Sequence, residues 1–297
     1  MWRPLLCALL CLLPVSAYGG VWARDLGGVY GRYGAGFYFG QGAFLVANTQ
    51  AQGKFQSHAG EIYEEVGFGH NFEVDLSARW VNNRNLIQDG TVLSNGGPED
   101  TEVQLRWGPF HGKNALSLFA GVRVALYERL PVTQTADGTP QRGAGGQDIL
   151  FGLAYGRSFY PRAAWFTFDI TPRIRLESPT RGLRFRLELG TKLWGPILGA
   201  FNLEAQPVIG RRAGQENDPI APVPITLSIG AKIFVRLPLG FGLIADFSWF
   251  PNVFNDGPGV RVGAGLTYEF DAKNLRPMKA THGMPHLGMD RMEKEKK

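Results

Sequence analysis

Apolar and polar residues alternate along most of the chain between positions 27 and 270. In the stretch 72–81, every second residue from Phe72 to Trp80 is apolar, and the residues between them, from Glu73 to Arg79, are polar. The same period of two recurs at 115–127, 183–194 and 224–236. Such alternation predicts β-strands that each have one apolar and one polar face.

The pattern predicts about twelve strands, within a range of ten to fourteen. Most are about 9–13 residues long, the length that a tilted strand needs to cross a bilayer, whereas strands in globular proteins average about 5–6 residues. The predicted strands cover residues 28–40, 61–69, 72–81, 101–108, 115–127, 147–157, 164–174, 183–194, 200–208, 224–236, 241–250 and 260–270.

Short and long connections between the predicted strands alternate along the chain. Short turns are predicted at 69–71, 108–114, 158–163, 195–199 and 237–240, and long loops at 41–60, 82–100, 128–146, 175–182, 209–223 and 251–259. The long loops contain turn-forming pairs such as Asp89-Gly90, Asn95-Gly96 and Asp137-Gly138. This asymmetry is typical of outer-membrane barrels, whose short turns face the periplasm. The sequence therefore predicts an all-β fold, a single up-and-down antiparallel transmembrane β-barrel with a polar lumen.

We expect the apolar rows to face lipid and the polar rows to face the lumen. The alternative is a soluble β-sandwich with the opposite orientation, but residues 18–270 contain only four Lys, a residue that exposed soluble faces use freely. The polar rows carry acids and bases in near balance, and they predict a lumen lined by Arg32, Glu65, Glu73, Asp75, Arg79, Glu102, Arg106, Arg123, Asp169, Arg184, Arg186, Glu188, Lys192, Lys232, Asp246 and Arg261.

Aromatic residues mark the ends of several apolar rows, as in the interfacial girdles of outer-membrane barrels. The predicted girdle residues are Trp80, Trp107, Tyr155, Trp249, Tyr268 and Phe270. In the last strand, Gly265, Tyr268 and Phe270 match the glycine–aromatic–aromatic pattern that the barrel-assembly machinery recognises, although 27 residues follow Phe270. Outer-membrane lipid and this machinery are therefore the expected partners.

The N-terminus predicts export. Arg3 precedes an apolar stretch from Leu5 to Leu13, and Val15-Ser16-Ala17 supplies small residues before a cleavage site after Ala17. Both cysteines lie within this leader. The expected organisation is a signal peptide at 1–17, an outer-membrane barrel at 18–270 and a flexible, basic periplasmic tail at 271–297.

The net charge of +5 comes mostly from the ends of the chain. Residues 271–297 hold seven Lys/Arg and four Asp/Glu, and residues 18–270 are close to neutral, with 23 basic and 22 acidic residues. A nucleic-acid partner needs a basic face on the folded body, so none is expected.

The sequence gives little support for a catalytic function. Twelve-stranded outer-membrane phospholipases carry a His-x-Ser pair, yet none of the five histidines (His58, His70, His111, His282, His286) has Ser two residues later. Ser57-His58 is a poor nucleophile–base pair, because adjacent side chains point apart on an extended chain. The carboxylate pairs Glu64-Glu65 and Glu99-Asp100 meet the same difficulty, and we interpret them as loop-edge or lumen charges.

No cofactor or metal motif is found in the barrel region. The tail differs, because it holds Met278, His282, Met284, His286, Met289 and Met292, and thioether and imidazole groups suit Cu(I). A basic tail that contacts peptidoglycan or anionic lipid is the favoured interpretation, with copper binding as the alternative.

Four features together resemble one family: Trp22, the aromatic strand Gly27–Gly40, the Glu65-Val66-Gly67 segment before a tight turn, and the strand Asp100–Trp107. It is the Gram-negative family of outer-membrane transporters assigned to the meta-pathway of phenol degradation. The resemblance implies a barrel of roughly twelve strands over residues 22–270.

The sequence thus favours an outer-membrane channel or small-solute transporter, with the solute unidentified. A belt that includes Arg79, Arg123, Arg184 and Arg186 with Glu73, Glu102 and Glu188 is expected to limit a small, weakly ion-selective conductance. The alternatives are a closed barrel that acts through its long loops as a structural or surface-interaction protein, and an outer-membrane lipid hydrolase.

Overall fold

The structure is a computed structural model. It describes residues 21–24, 26–46, 49–110, 113–127, 139–140, 142–143, 145–160, 162–176, 181–209, 225–251, 258–271 and 276–277. The predicted signal peptide and nearly all of the Met/His-containing tail lie outside the described residues.

The described residues form one antiparallel sheet that closes on itself. Its strands are β1 (Gly28–Val46), β2 (Thr49–Gly69), β3 (Phe72–Ile87), β4 (Val92–Pro98), β5 (Asp100–Phe110), β6 (Asn114–Ala125), β7 (Gln147–Ser158), β8 (Ala164–Arg175), β9 (Arg181–Trp194), β10 (Ile197–Ile209), β11 (Ile225–Arg236), β12 (Phe241–Phe250), β13 (Gly259–Asp271) and β14 (Arg276–Pro277). Twelve of them follow one another around a barrel, and β1 pairs with β13 to close it. The strand β4 pairs with β3 off this path, and β14 pairs with the end of β13.

All twelve predicted strands are present, and the predicted fold class is confirmed. The short connections also lie where they were expected, between β2 and β3, β5 and β6, β7 and β8, β9 and β10, and β11 and β12. The tightest consists of His70 and Asn71, whose φ angles of 50° and 68° give the left-handed turn that a two-residue hairpin requires. We call this end of the barrel the short-turn end and the opposite end the long-loop end.

Two predicted long loops are largely β-structure, so that part of the prediction was wrong. Residues 41–46 of β1 and 49–54 of β2 form a hairpin beyond Gly40, the last residue of β1 that pairs with β13. Residues 55–60 of β2 pair with residues 35–40 of β1 and belong to the barrel wall. In the region 82–100, β3 continues to Ile87 and β4 returns along it, so the predicted turn at Asn95-Gly96 lies within a strand. The turn at Asp89-Gly90 is present, and the Thr91 backbone N–H donates to Asp89 Oδ1 at 2.8 Å.

The ladder along β3 shifts by one residue between β4 and β5. Trp80 pairs with Pro98, whereas Ser77 pairs with Glu102, so Glu99 is the extra residue of a β-bulge. A bulge changes which face of the strand the following residues occupy. As a result, Glu99 and Asp100 both line the barrel interior, although they are adjacent in the chain.

The outer and inner faces of the wall have opposite chemistry. Leu105, Leu118, Phe151, Phe201 and Leu243 are among the many large apolar residues on the outside that are at least 39% exposed. The inside holds buried charged and polar side chains. This arrangement is the reverse of a soluble barrel, and it confirms the predicted polar lumen.

None of the helical segments among the described residues is long and apolar enough to cross a membrane.

Candidate functional site

The barrel encloses a cavity of about 560 Å³. Eight cationic and seven anionic side chains line it, so the charges of the lining nearly cancel. Eleven predicted lumen residues are among them: Arg32, Asp75, Arg79, Glu102, Arg106, Arg123, Asp169, Arg184, Arg186, Glu188 and Lys232. Glu99, Asp100, Arg173 and Glu204 complete the charged lining.

The other five predicted lumen residues are not among those that line this cavity. Glu65 and Glu73 are fully buried near the short-turn end, and Glu73, which was predicted to belong to the belt, does not line the cavity. Asp246 is paired with Arg32, and Arg261 is paired with Glu61. Lys192 is exposed near the end of β9 and does not line the cavity.

Residues 21–24, which precede the first strand, fill the short-turn end of the lumen. Arg24 Nε lies 2.6 Å from Glu65 Oε2, Arg24 Nη1 lies 2.8 Å from Glu269 Oε1, and the Arg24 backbone N–H donates to Glu73 Oε2 at 2.9 Å. The guanidinium carbon also lies 4.9 Å from the centre of the Tyr30 ring. Three carboxylates on β2, β3 and β13 thus hold one buried cation in place.

Trp22 occupies a socket built from the inner faces of β6, β7 and β8. With Val21 it packs in a buried cluster with Ala115, Phe119 and Ala154, and Trp165 lies against the cluster. The socket needs a residue without a side chain on β7, because a Cβ at Gly156 would lie 2.7 Å from the Trp22 ring. We call residues 21–24 the N-terminal plug.

Ion pairs line the middle of the lumen. Arg106 contacts Asp75 at 3.0 Å and Glu73 at 3.5 Å, and it donates to Ser117 Oγ at 3.0 Å. Lys232 lies 2.8 Å from Glu188, which also accepts a hydrogen bond from the Trp165 indole at 3.0 Å. These charges can remain inside a protein because each is paired with an opposite charge on a neighbouring or next-neighbouring strand.

Pairs from the opposite wall complete the middle of the barrel. Arg186 contacts Glu204 at 3.1 Å, and Arg32 contacts Asp246 at 2.8 Å. Each of these four side chains lies on the inner face of a different strand. These pairs therefore tie β9 to the adjacent β10, and β1 to β12 over the intervening β13, along the inner surface of the wall.

The long-loop end of the lumen is rich in arginine. Arg79 lies 2.9 Å from Glu99, and both Arg79 and Arg261 contact Glu61. On the other side, Arg123 contacts Asp100 at 2.9 Å.

The residues considered for catalysis are not assembled into a site. Ser57 is buried on the inner face of β2, while His58 is exposed on the outer face against the Phe37 ring. His70 is exposed in the turn after β2, and His111, His282 and His286 lie outside the described residues. The described part of the chain also holds no group of three or more His, Cys, Asp or Glu side chains that could bind a metal ion.

Glu64 was interpreted as a loop-edge or lumen charge, and this was wrong. It lies on the outer face of β2, where its carboxylate accepts hydrogen bonds from the hydroxyls of Tyr33 and Tyr268. The predicted girdle residues Trp80, Trp107, Tyr155, Trp249, Tyr268 and Phe270 belong to outward-facing rows. Trp80 lies near the middle of β3, because that strand continues to Ile87.

Sequence reasoning missed the N-terminal plug. The segment 21–27 has no alternating pattern, and Trp22 was noted only as part of a family resemblance. A usable signal was nevertheless present: Arg24 lies four residues before the first strand, in a barrel whose inner positions at this end include the acidic residues Glu65, Glu73 and Glu269.

Solved structures with a similar fold are outer-membrane barrels. An outer-membrane channel from Pseudomonas putida F1 superposes with a TM-score of 0.61 at 11% identity, over 86% of this chain and 100% of that one. The NanC porin superposes with a TM-score of 0.50 at 5% identity, over 79% of this chain and 100% of the porin. No protein-family profile and no curated protein matches the sequence. At these identities the likeness establishes the fold, which is that of outer-membrane β-barrel channels.

Proposed function

We propose that the protein is an outer-membrane channel for small solutes, and that these solutes pass through the charged lumen. The observation that carries the proposal is the closed barrel with an interior cavity of about 560 Å³ lined by charged side chains. Side chains fill the bore of eight-stranded barrels, and an aqueous channel remains at sixteen to eighteen strands. Twelve strands lie between these limits, so the side chains inside decide how wide the path is.

The apolar outer face supports a location in a bilayer, and the fold supports the outer membrane in particular. Lipid would contact the outward rows, and the barrel-assembly machinery would recognise the last strand through Gly265, Tyr268 and Phe270. Membership of the phenol meta-pathway transporter family remains a prediction from the sequence resemblance. No solute follows from it for this chain.

The near balance of eight cations and seven anions in the lining implies weak ion selectivity. A test is the double substitution of Arg184 and Arg186 by Ser, which removes two guanidinium groups and leaves Glu102 and Glu204 without these partners. In planar bilayers the variant should conduct more than the wild type, and its reversal potential in a salt gradient should shift toward cation preference. An unchanged conductance and reversal potential would argue against passage through this part of the lumen.

A second candidate function has its own observation. The N-terminal plug fills the short-turn end, and paired charges line the middle of the lumen, as in a barrel that stays closed and presents its long-loop end to partners. Efflux of small solutes from liposomes separates the two functions. A channel releases small uncharged solutes, such as glycerol, faster than protein-free vesicles do, and a closed barrel does not.

We propose no enzymatic activity. Among the described residues, the only adjacent Ser–His pair, Ser57-His58, points to opposite faces of the wall.

A further inference from the structure

We propose that the long-loop half of the lumen contains a binding site for the oxyanion group of a small solute, a carboxylate or a phosphate, centred on Arg173 and Arg184. The inference deepens the proposed function, since it names the chemical class that the lumen selects, and it rests on that function for its biological meaning. The site itself is defined by charge and hydrogen-bonding geometry.

One buried carboxylate is shared by three arginines at this level of the barrel. Asp148, whose side chain is 1% exposed, lies 2.8 Å from Arg175 Nε, 3.5 Å from Arg123 Nε and 3.6 Å from Arg173 Nε. A single negative charge cannot neutralise three positive ones. Arg123 has a second partner in Asp100 at 2.9 Å, so Arg173 is left with the longest contact of the three.

The Arg173 guanidinium therefore has unused donors. Within the described residues, the contact with Asp148 is its one ion pair, and none of its N–H groups makes a side-chain hydrogen bond. Its side chain remains 23% exposed and lines the cavity. Across the strand pair it faces Gly182, which places no side chain over the guanidinium.

Arg184 supplies a second, weakly held guanidinium next to the first. It lies on β9 two residues beyond Gly182 and is thus the diagonal cross-strand neighbour of Arg173 on the same inner face. Arg184 Nη2 is 3.5 Å from both Glu102 Oε1 and Thr171 Oγ1, and its Nε is buried without a hydrogen-bond acceptor in the described part of the chain. The two side chains together present positive charge that the protein does not saturate.

An oxyanion is the ligand that this arrangement fits. The planar guanidinium donates two parallel hydrogen bonds to a carboxylate or a phosphate, and such charge-assisted bonds are among the strongest in proteins. A cation would be repelled by Arg123, Arg173, Arg175 and Arg184 together. Because the long loops of outer-membrane barrels face the cell exterior, an entering anionic solute would meet this site before the ion pairs of the middle lumen.

Calorimetric titration of the full, folded chain in detergent tests the site directly. Sodium acetate probes carboxylate binding, inorganic phosphate probes phosphate binding, and sodium chloride at matched ionic strength controls for salt effects. We expect at least one of the two probes to bind the wild type at millimolar concentration, and whichever binds identifies the oxyanion. Absence of binding by both probes would overturn the inference.

Variants distinguish the site from general lumen charge. Arg173→Gln should weaken binding about tenfold, the loss expected for a charge-assisted hydrogen-bonded pair. Arg173→Lys should weaken binding less, because lysine keeps the positive charge and lacks only the planar pair of hydrogen-bond donors of the guanidinium. Arg157→Gln, which removes an exposed charge from the outward-facing row of β7, should bind like the wild type. Equal affinity of wild type and Arg173→Gln would contradict the proposal.

The outcome is separable from that of the channel proposal. Binding by a protein that never conducts would support the oxyanion site and refute the channel. Conductance without oxyanion binding would refute the site alone. An unboiled gel sample, in which folded barrels migrate faster, shows that each variant has folded before it is titrated.

Discussion

A carboxylate faces lipid at the seam where the barrel closes. Glu64 on β2 accepts hydrogen bonds from Tyr268 at 2.8 and 2.6 Å, and from Tyr33 on β1. The rings of Tyr33 and Tyr268 are stacked with their centres 5.6 Å apart. Gly31 leaves room for the Tyr268 ring, because a Cβ there would lie 2.3 Å from it. The three side chains thus join β13, β1 and β2 on the outer surface.

Tyr268→Phe should destabilise the barrel by about 1–3 kcal/mol, because it removes the donor to both oxygens of a carboxylate that water reaches poorly. Unfolding by urea in phospholipid vesicles measures this free energy. Adding Glu64→Leu should recover most of the loss, since the polar acceptor is then gone as well. Tyr155→Phe is the matched control, because its hydroxyl donates to the exposed Asn114. A Tyr268→Phe barrel as stable as this control would contradict the role assigned to Glu64.

Leu118 and Arg123 lie on the same strand and test which face is which. Leu118 is 45% exposed on the outer face of β6, whereas Arg123 points inward to Asp100 and Asp148. Leu118→Arg should impair assembly, because an arginine at the lipid-facing midplane costs about 2–4 kcal/mol. Arg123→Gln should still assemble. The fraction of each variant that migrates as folded barrel in unboiled gels measures its assembly. Better assembly of Leu118→Arg than of Arg123→Gln would show that the lipid-facing and lumen-facing sides have been assigned the wrong way round.

The sequence predicted which side of the wall most residues face. In a strictly alternating strand, odd and even positions point to opposite sides, so one assignment fixes all the others. We call this rule residue parity. It failed where the register slips. Glu99 and Asp100 both reach the lumen through the bulge between β4 and β5, and no residue type announces a bulge there. For Glu64, parity alone gives the observed outer face, because its neighbour Glu65 points inward, but the interpretation as a loop-edge or lumen charge was wrong. A carboxylate on an outward row is costly unless partners from other strands satisfy it. Those partners are distant in sequence.

At the scale of elements, the predicted strands correspond to the part of the wall where one face meets lipid and the other the lumen. Beyond Val81, both faces of β3 carry polar residues: Asn83 and Asn85 are buried, and Arg84 between them is exposed. The alternation of apolar and polar residues therefore ends there, while the backbone ladder with β4 continues to Leu86. The alternating pattern therefore marks the part of each strand whose two faces meet different surroundings, lipid on one side and the lumen on the other. It does not measure where hydrogen bonding stops.

The N-terminal plug is a separate element whose release can be followed by labelling. In a chain with Cys7 and Cys11 replaced by Ser, Val21→Cys places a thiol at a buried position, 3% exposed, inside the short-turn end. A membrane-impermeant maleimide should label it slowly. Adding Trp22→Ala empties the socket on β6, β7 and β8 and should raise the labelling rate at least tenfold. Equal rates would show that Trp22 does not hold the plug.

Arg24 holds the plug in a different way from Trp22, so the two substitutions should differ in outcome. Removing one partner of a buried ion pair leaves uncompensated charge and costs about 3–5 kcal/mol. Arg24→Ala leaves Glu65, Glu73 and Glu269 facing one another and should lower the urea midpoint of the whole barrel. Trp22→Ala also loses buried packing, but it should lower that midpoint less, because the socket walls remain paired in the sheet and no charge is left without a partner. A larger loss for Trp22→Ala would reverse these roles.

At the scale of the whole molecule, the apolar outer surface and the closed sheet predict firm membrane association. The protein should remain with the outer-membrane fraction after salt and carbonate washes. It should also migrate faster in gels when it is not boiled, because the hydrogen-bonded barrel resists detergent. Recovery in the soluble periplasm would contradict the assignment of the apolar rows to lipid.

The central claim is that the lumen is a solute path restricted at the short-turn end by the N-terminal plug. Single-channel recording of the wild type and of Trp22→Ala in planar bilayers tests it most directly. We predict small conductance steps for the wild type and larger or longer openings for Trp22→Ala, since the plug then leaves its socket while the wall stays intact. If both proteins are folded, inserted and electrically silent, the lumen is not a channel, and a closed barrel that acts through its long loops is the correct account.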